Sequence, residues 1–544
     1  MVLAPGVRVG SDARMRCPVG VLVTFASFAP GQAPEAEALC LAGVFGDHMV
    51  LQREQPVRVW GRVAAGRQVV VRFGTHEVQA RGDDQGAWMA TLPAMAAKDV
   101  GQDLVVEAGA VVVVHDVLVG DVWLGCGQSN MAMGLDSCGD PAAVAAANNP
   151  AIRYRPYFEH FAGVAQTDLR EPASWRVLAP DTAGPCSAAG YWFAHRVQPI
   201  AGVPIGLLEC TVGGTEIECW MPPEAFSEVP ELALIAAQLQ TAVAEWQNEL
   251  VRSLPKVEAW LRDAKAAAAV GLPIPAAPRL RGHPNEDREH WVRTSSLWNG
   301  MVHPLLPFAV RGVLWYQGEN NGSEQASYAS KFRAMVATWR RAFGQELPFY
   351  YVQLPNYGRP NPGRPDGDPA GGELGFAPCR MAQWSCATLP RVGMVVTIDC
   401  GDAQDIHPRD KRTVGERLAR WALRNEYGQQ IEPSGPLMQR VASEGSALRV
   451  HFAHKGTGLM VGERDAAGAI AVAPASALRA FAIAGADRQW HWAEATIEGD
   501  CVVLRSAAVP EPKAARYAYT ACPSGPLLYN REGLPASPFR SDDW

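Results

Sequence analysis

Several features are missing from this chain, and each absence excludes a class of protein. No apolar run reaches the roughly 18–20 residues of a membrane-spanning helix, so we predict no membrane partner. The 544 residues carry a formal net charge of only -7, which argues against nucleic-acid binding. No Cys-x-x-Cys pair, metal-ligand cluster or phosphate-binding Gly-rich loop occurs. We therefore expect no metal and no cofactor.

The composition is that of a folded protein with many turns. Hydrophobic residues make up 48% and charged residues 19% of the chain, which permits a sizeable core. The length suggests roughly two to four domains. The twelve cysteines are scattered, and their spacing predicts no disulfide pattern. Cys126, Cys210 and Cys400 lie at the ends of apolar strands, where buried free thiols are common.

The first 37 residues form a leader with two interpretations. Met15 and Arg16 precede an apolar run, Val19–Ala29, as in a signal peptide with translation starting at Met15. Export to the periplasm or the medium would follow. The other interpretation is a disordered leader or a misassigned start, with the protein in the cytoplasm.

Short alternating strands and turn residues predict a small β-sandwich over 38–117. Two of its candidate strands are Leu104–Val106 and Val111–Val114. A second small β domain is predicted over 441–544, where Trp490–Ile497 is one candidate strand. Trp490 and Trp492 alternate along it, which favours core packing over sugar stacking.

The middle of the chain, 118–440, has the pattern of an α/β domain with a parallel sheet. Five apolar runs are its candidate strands: Leu118–Cys126, Val203–Cys210, Val310–Tyr316, Leu347–Leu354 and Val392–Asp399. One-sided apolar spacing predicts helices over 328–343 and 411–427. The helical and Pro-rich stretch 222–295 is predicted to be an insertion that either caps a substrate cleft or decorates the surface.

Polar residues follow these strands at their carboxyl ends, where open α/β sheets bind ligands. Ser129 lies two residues after Gly127, where a strand gives way to a helix, and a hydroxyl there would be exposed near backbone N–H groups. The glycines 213 and 214 follow the next strand and allow close backbone approach. Each segment taken alone is also typical of an ordinary turn.

Two further loops supply groups for acyl transfer. Gln317 is an amide donor after a buried strand, and neighbouring Glu319 needs a partner if it is buried. His407 lies in an acidic loop just before a helix, and histidine is the usual base for a serine nucleophile. Together the loops offer a nucleophile, a base, carboxylates and oxyanion donors.

Several segments of the chain resemble the sialate O-acetylesterase family of the SGNH (GDSL-like) hydrolases. The matching segments run in order along nearly the whole chain. They are Leu41–Gln52, Asp121–Met131, Gly213–Thr215 with Trp220, Trp298–Leu305, Gly312–Asn320, Asp405–Lys411 and Asn530–Arg540.

The resemblance implies a flavodoxin-like SGNH hydrolase domain, with a parallel sheet and helices on both faces, flanked by small all-β domains. It implies hydrolysis of O-acetyl esters on sialic acid or on plant-polysaccharide sugars such as acetylxylan. By position, Ser129 matches the nucleophile and His407 the base. Gln317 and Gly214 (or Gly213) match oxyanion donors, together with the Ser129 N–H.

One departure from the superfamily concerns the carboxylate that orients the histidine. An Asp usually lies three residues before it, but residue 404 is Gln. Asp405, two residues before His407, faces the same way in an extended segment and is the predicted partner. Asp402 and a Ser–His dyad without a carboxylate stay open as alternatives. A catalytically inactive carbohydrate-binding protein is the competing function, and the intact Ser129, His407 and Gln317 disfavour it.

Overall fold

A computed structural model of the chain describes residues 39–156, 159–171, 174–286, 294–358, 368–369, 374–465 and 468–544. The predicted leader, 1–37, lies outside these ranges. The strands, in chain order, are β1 Cys40–Leu41, β2 Val50–Gln52, β3 Val57–Arg62, β4 Gln68–Phe73, β5 His76–Arg81, β6 Ala87–Leu92, β7 Lys98–Glu107, β8 Val111–Gly127, β9 Asn149–Arg155, β10 Arg176–Leu178, β11 Ile205–Thr211, β12 Gly312–Tyr316, β13 Phe349–Val352, β14 Val392–Val395, β15 Leu437–Glu444, β16 Ala447–Ala453, β17 Leu459–Arg464, β18 Ile470–Val472, β19 Phe481–Ala484, β20 Trp490–Trp492, β21 Glu494–Glu498, β22 Cys501–Arg505, β23 Ala514–Tyr517, β24 Leu527–Asn530 and β25 Phe539–Arg540. The α-helices are α1 Ser129–Ala132, α2 Pro141–Ala146, α3 Ala188–Ala201, α4 Pro223–Glu228, α5 Ala233–Ala269, α6 Ala326–Phe343, α7 Ala377–Ser385 and α8 Lys411–Asn425.

The central sheet has the strand order β10-β9-β11-β8-β12-β13-β14. Its neighbours are parallel from β9 to β14, and only the edge strand β10 is antiparallel. All residues of β11, β12, β13 and β14 are buried, as expected for apolar runs covered on both faces. Mixed α/β architecture with additional small β-sheets, the predicted class, is confirmed.

The strand β8 differs from its prediction. Two separate strands were expected around 111–114 and 118–126, but Val111–Gly127 is one strand of 17 residues. Its first half pairs with β7 and β2, and its second half pairs with β11 and β12. The predicted boundary at 117/118 therefore falls inside a strand shared by the two parts. The division into domains otherwise stays a prediction.

The two predicted helices that flank the sheet are present with slightly different ends. In α6 the predicted apolar face, which includes Phe332, Trp339 and Phe343, is buried. Gly344 ends this helix with φ 67°, a conformation that glycine adopts without strain. At the start of α8, Asp410 Oδ1 accepts from the Thr413 N–H at 3.0 Å. This N-cap begins the helix three residues after His407.

The insertion contains α4 and the 37-residue α5. Along α5 only Ala264 is buried, so this helix projects from the body. The segment after α5 packs back against this helix. The Trp246 and Trp260 indoles of α5 donate to the carbonyls of Arg281 and Pro275 in that segment. No helix within the described ranges combines the length and apolar character needed to cross a bilayer.

Three small sheets follow the α/β part, with orders β15-β16-β22-β21, β18-β17-β24 and β20-β19-β23-β25. The predicted strand Trp490–Ile497 is wrong as a single element, because β20 and β21 pair into different sheets. Core packing of its tryptophans is also wrong. Trp492 is 39% exposed, and the half-buried Trp490 ring lies 3.9 Å from the Arg516 guanidinium carbon.

Candidate active site

Ser129 lies at the carboxyl edge of the central sheet, at the first position of α1. The preceding turn requires glycine, since Gly127 has φ 138° and a Cβ there would lie 2.0 Å from the Tyr316 carbonyl oxygen. The Gln128 N–H then donates to that same carbonyl at 3.0 Å. The turn thus presents Ser129 at the sheet edge, where the first N–H groups of α1 have no partner within the helix.

The structure brings His407 to Ser129 from 278 residues away. His407 Nε2 and Ser129 Oγ are 2.8 Å apart, a hydrogen-bond distance. The imidazole is 43% exposed, so it is open to solvent on one side. This pairing is the geometry that a serine nucleophile and its general base require.

Asp405 lies beside His407 but does not hold its imidazole by a short hydrogen bond. Its Oδ1 is 3.8 Å from His407 Nδ1 and accepts from the His407 backbone N–H at 2.8 Å. Asp402 is engaged in the same loop, where its Oδ1 accepts from the N–H groups of Gln404 and Asp405 at 2.8 and 3.2 Å. Asp405 is therefore the nearer of the two candidate carboxylates, and its role stays a prediction.

Gln317 is fully buried with its side chain bonded on all sides. Its Nε2 donates to the Thr215 carbonyl at 3.1 Å and to Asn321 Oδ1 at 2.8 Å. Its Oε1 accepts from the Tyr328 hydroxyl at 3.0 Å. Donation to an oxyanion would therefore require one of the two N–H bonds to be exchanged, and the donor role stays a prediction.

The two predicted glycines differ in what a side chain at each position would contact. A Cβ on Gly213 would lie 3.4 Å from Ser129 Cβ. Gly214 has φ 67°, and a Cβ there would meet nothing within 4 Å. Gly213 and Gly214 form the turn after β11. β11 is parallel to β8 and adjacent to it in the sheet.

Three buried polar side chains lie behind the site: Asn130, Glu319 and Lys411. The sequence predicted only that Glu319 would need a partner. The expectation that a buried Glu319 needs a partner is confirmed, because Asn130 Nδ2 donates to Glu319 Oε1 at 2.5 Å. Asn130 Nδ2 also donates to the Ile406 carbonyl at 2.9 Å. Lys411, also fully buried, donates from Nζ to the Pro408 carbonyl. Asn130 and Lys411 lie within the matching family segments, but nothing in their spacing indicates these contacts.

Burial shifts the pKa values of the Glu319 and Lys411 side chains. Desolvation raises the pKa of the Glu319 carboxyl. Desolvation also lowers the pKa of Lys411 to about 8. No cluster of three or more metal-ligating side chains occurs among the described residues. Every cysteine in the described ranges is free, and Cys126, Cys210 and Cys400 are buried as predicted.

A serine paired with a histidine at the carboxyl edge of a parallel sheet is an arrangement of α/β ester hydrolases. Comparison with known proteins defines the group more closely. A family model described as "Carbohydrate esterase, sialic acid-specific acetylesterase" matches residues 119–261 and 285–424. The unmatched gap lies within the insertion. The chain belongs to this family of carbohydrate esterases and is a carboxylic-ester hydrolase.

Individual relatives agree with this assignment. The chain is 28% identical over 443 residues to the sialate O-acetylesterase of Rattus norvegicus, covering 74% of this chain and 76% of the relative. It is 25% identical to that of Pongo abelii, covering 92% and 91%. A solved carbohydrate acetylesterase from Xanthomonas citri is 35% identical with a TM-score of 0.74, covering 93% of this chain and all of the other.

Proposed function

We propose that this chain removes acetyl groups from O-acetylated sugars through an acyl-enzyme on Ser129. The sugar is sialic acid, or a plant polysaccharide such as acetylxylan. The observation that carries the proposal is the 2.8 Å separation of Ser129 Oγ and His407 Nε2. The relatives are named sialate O-acetylesterase and carbohydrate acetylesterase, which supports the acetyl ester as the substrate.

In the acylation step, Ser129 Oγ attacks the carbonyl carbon of the acetyl group while His407 Nε2 takes the hydroxyl proton. The carbonyl oxygen becomes an oxyanion, stabilised by the N–H groups of Ser129 and Gly214 (or Gly213). The Gln317 amide is the third donor, after one of its present bonds is exchanged. The tetrahedral intermediate collapses by breaking the bond to the sugar oxygen, which leaves with the proton from His407.

Deacylation repeats the same chemistry with water. His407 takes a proton from the water molecule as its oxygen attacks the acetyl-serine carbonyl. The second intermediate breaks the bond to Ser129 Oγ, which recovers its proton from His407. Acetate leaves, and the enzyme returns to its starting state without any external oxidant or cofactor.

We also infer that the α/β part is a flavodoxin-like SGNH core. The order of the five strands predicted from the sequence supports this inference. When β8, β11, β12, β13 and β14 are numbered one to five along the chain, the order is 2-1-3-4-5, that of flavodoxin-like sheets. β9 then adds one parallel strand outside β11.

Acetate release by the purified protein tests the proposal. The substrates are an aryl acetate, O-acetylated sialic acid and acetylxylan, each assayed with wild type, Ser129→Ala and Ser137→Ala. Ser137 is an exposed serine a few residues beyond Ser129, whose hydroxyl donates to Asp136 at 3.0 Å, and it serves as the matched control. We expect release by wild type and Ser137→Ala, and almost none by Ser129→Ala.

The preferred sugar assigns the substrate class. Failure of a folded wild-type protein to release acetate from all three substrates would overturn the proposal. A carbohydrate-binding protein without catalysis would then be tested by measuring sugar binding to the same sample.

A further inference from the structure

The carbonyls of the two residues next to His407, Ile406 and Pro408, accept hydrogen bonds from buried side chains. The Ile406 carbonyl accepts from Asn130 Nδ2 at 2.9 Å. The Pro408 carbonyl accepts from Lys411 Nζ. Asn130 is 1% exposed and Lys411 is fully buried, so water does not compete for these carbonyls. The backbone before His407 is therefore held by the Asn130 side chain of α1, and the backbone after it by the Lys411 side chain of α8.

Glu319 completes a buried polar unit with Asn130 and Lys411. Its Oε1 accepts from Asn130 Nδ2 at 2.5 Å. Glu319 follows β12 and is 8% exposed, and Asn130 follows Ser129 directly. Asn130 and Glu319 thus join the ends of β8 and β12 to the loop after β14, and Lys411 holds the same loop from the start of α8. These are the segments that must stay in register for His407 to reach Ser129.

The imidazole itself has weaker support than a typical catalytic histidine. A carboxylate usually accepts a hydrogen bond from Nδ1 and fixes the orientation of the ring. Here Asp405 is 3.8 Å from Nδ1, is 55% exposed, and bonds the His407 backbone N–H instead. Orientation of the ring must then depend on a fixed backbone. Three backbone groups of this segment are hydrogen-bonded to side chains: the His407 N–H and the carbonyls of Ile406 and Pro408.

We propose that Asn130, Glu319 and Lys411 are positioning residues that hold His407 against Ser129 through the two flanking backbone carbonyls. The proposal rests on the proposed function, since it assigns a role only if Ser129 and His407 react. None of the three touches the imidazole or the serine hydroxyl in the described contacts. Their effect on the reaction therefore passes through the distance and direction of His407 Nε2.

A purely structural role for the same residues makes a different prediction. If the unit only stabilises the fold, its variants lower the melting temperature but leave Ser129 fully reactive in the protein that remains folded. If it positions His407, the folded variants also react slowly. A misplacement of about 1 Å costs about 100-fold in rate. The two roles are separated by measuring reactivity on folded protein.

The test compares Asn130→Ala and Lys411→Met with wild type, using the full-length protein. The first readout is the rate at which an aryl phosphonate labels Ser129, a reaction that needs the Ser–His pair but no sugar contacts. The second is the split between kcat and KM for aryl acetate hydrolysis. We expect labelling and kcat to fall about 10- to 100-fold, with KM changed less than about twofold.

Thr338→Val is the matched control for loss of a buried hydrogen bond. Thr338 is buried in α6, and its hydroxyl donates to the Ala334 carbonyl at 2.7 Å within the same helix. We expect this variant to melt earlier and to label at the wild-type rate. Labelling of folded Asn130→Ala and Lys411→Met at the wild-type rate would overturn the proposal.

A second pair of variants serves if Asn130→Ala does not fold. Glu319→Gln keeps an oxygen acceptor for Asn130 Nδ2, whereas Glu319→Leu removes it. We expect Gln to retain labelling within about tenfold of wild type and Leu to fall at least tenfold below Gln. Equal labelling by the two variants would overturn the proposal. Failure of the proposed function is distinguishable, because wild type itself would then neither label nor hydrolyse the aryl acetate.

Discussion

Asp405 accepts a hydrogen bond from the backbone N–H of His407 at 2.8 Å, while its carboxylate lies 3.8 Å from His407 Nδ1. The residue expected to orient the imidazole therefore supports the histidine mainly through the backbone. Its carboxylate is 55% exposed, and an ion pair with that exposure is worth at most about 1 kcal/mol, or about fivefold in rate.

We expect Asp405→Asn to lower kcat less than about tenfold, because Asn keeps an oxygen acceptor for the His407 N–H. His407→Ala should lower kcat about 1,000-fold or more, because the general base is lost. Steady-state kinetics on the aryl acetate measures both, with Asp402→Asn as the control for the rest of the loop. A loss of about 1,000-fold in Asp405→Asn would show that the carboxylate orients the ring during turnover.

Gln317 is predicted to donate to the oxyanion, although its amide is bonded to Thr215 and Asn321 at rest. Gln317→Ala should then lower kcat about 100- to 1,000-fold with little change in KM. Asn321→Ala removes one acceptor of that amide and should lower the melting temperature while kcat changes less than about tenfold. Equal losses of kcat in both variants would instead assign Gln317 to holding the loop.

The two glycines after β11 should respond differently to a methyl group. Gly213→Ala places a Cβ 3.4 Å from Ser129 Cβ, on the nucleophile itself, and should lower kcat more than Gly214→Ala does. Gly214→Ala has space but adopts φ 67°, which costs about 1–2 kcal/mol of stability. Thermal unfolding and kinetics on both variants check the prediction, and the reverse order for kcat would contradict it.

Glu209 gives a pH prediction for stability. Burial raises the pKa of this carboxyl to about 7, against hydrogen bonds from the Ser187 N–H at 2.7 Å and from the Cys186 thiol at 3.5 Å. Because the native state holds the proton more tightly than the unfolded chain, stability falls as pH rises from about 4.5 to about 7. Well above pH 7, where the carboxyl is ionised in the native state too, the loss is complete and constant.

Glu209→Gln keeps an acceptor for the Ser187 N–H and removes the titration. Relative to wild type, its free energy of unfolding should rise between pH 5 and pH 8, by up to about 3 kcal/mol. Urea unfolding at the two pH values measures the difference. A pH-independent difference between the two proteins would contradict the raised pKa.

Local patterns identified five strands of the central sheet, but they missed β9 and β10 and divided β8 at a polar interruption. The predicted run Val310–Tyr316 contains β12, Gly312–Tyr316, because strands covered on both faces need apolar residues throughout. β8 was divided into two because His115 and Asp116 interrupt its apolar pattern. Asp116 has a φ of 55°, and the pairing with β7 shifts its register here but resumes at Val117, so the strand continues.

The sequence by itself determined the family, the order of the segments and the choice of Ser129 and His407 as the candidate pair. These depend on short motifs and on burial patterns, which are encoded by neighbouring residues. The tertiary structure alone decided that Nε2 and Oγ lie 2.8 Å apart and that Gln317 is bonded within the protein. It also decided that Asn130 bonds Glu319 and Ile406, which lie 189 and 276 residues away. Such bonds depend on how the strand ends pack against one another, and no local pattern carries that information.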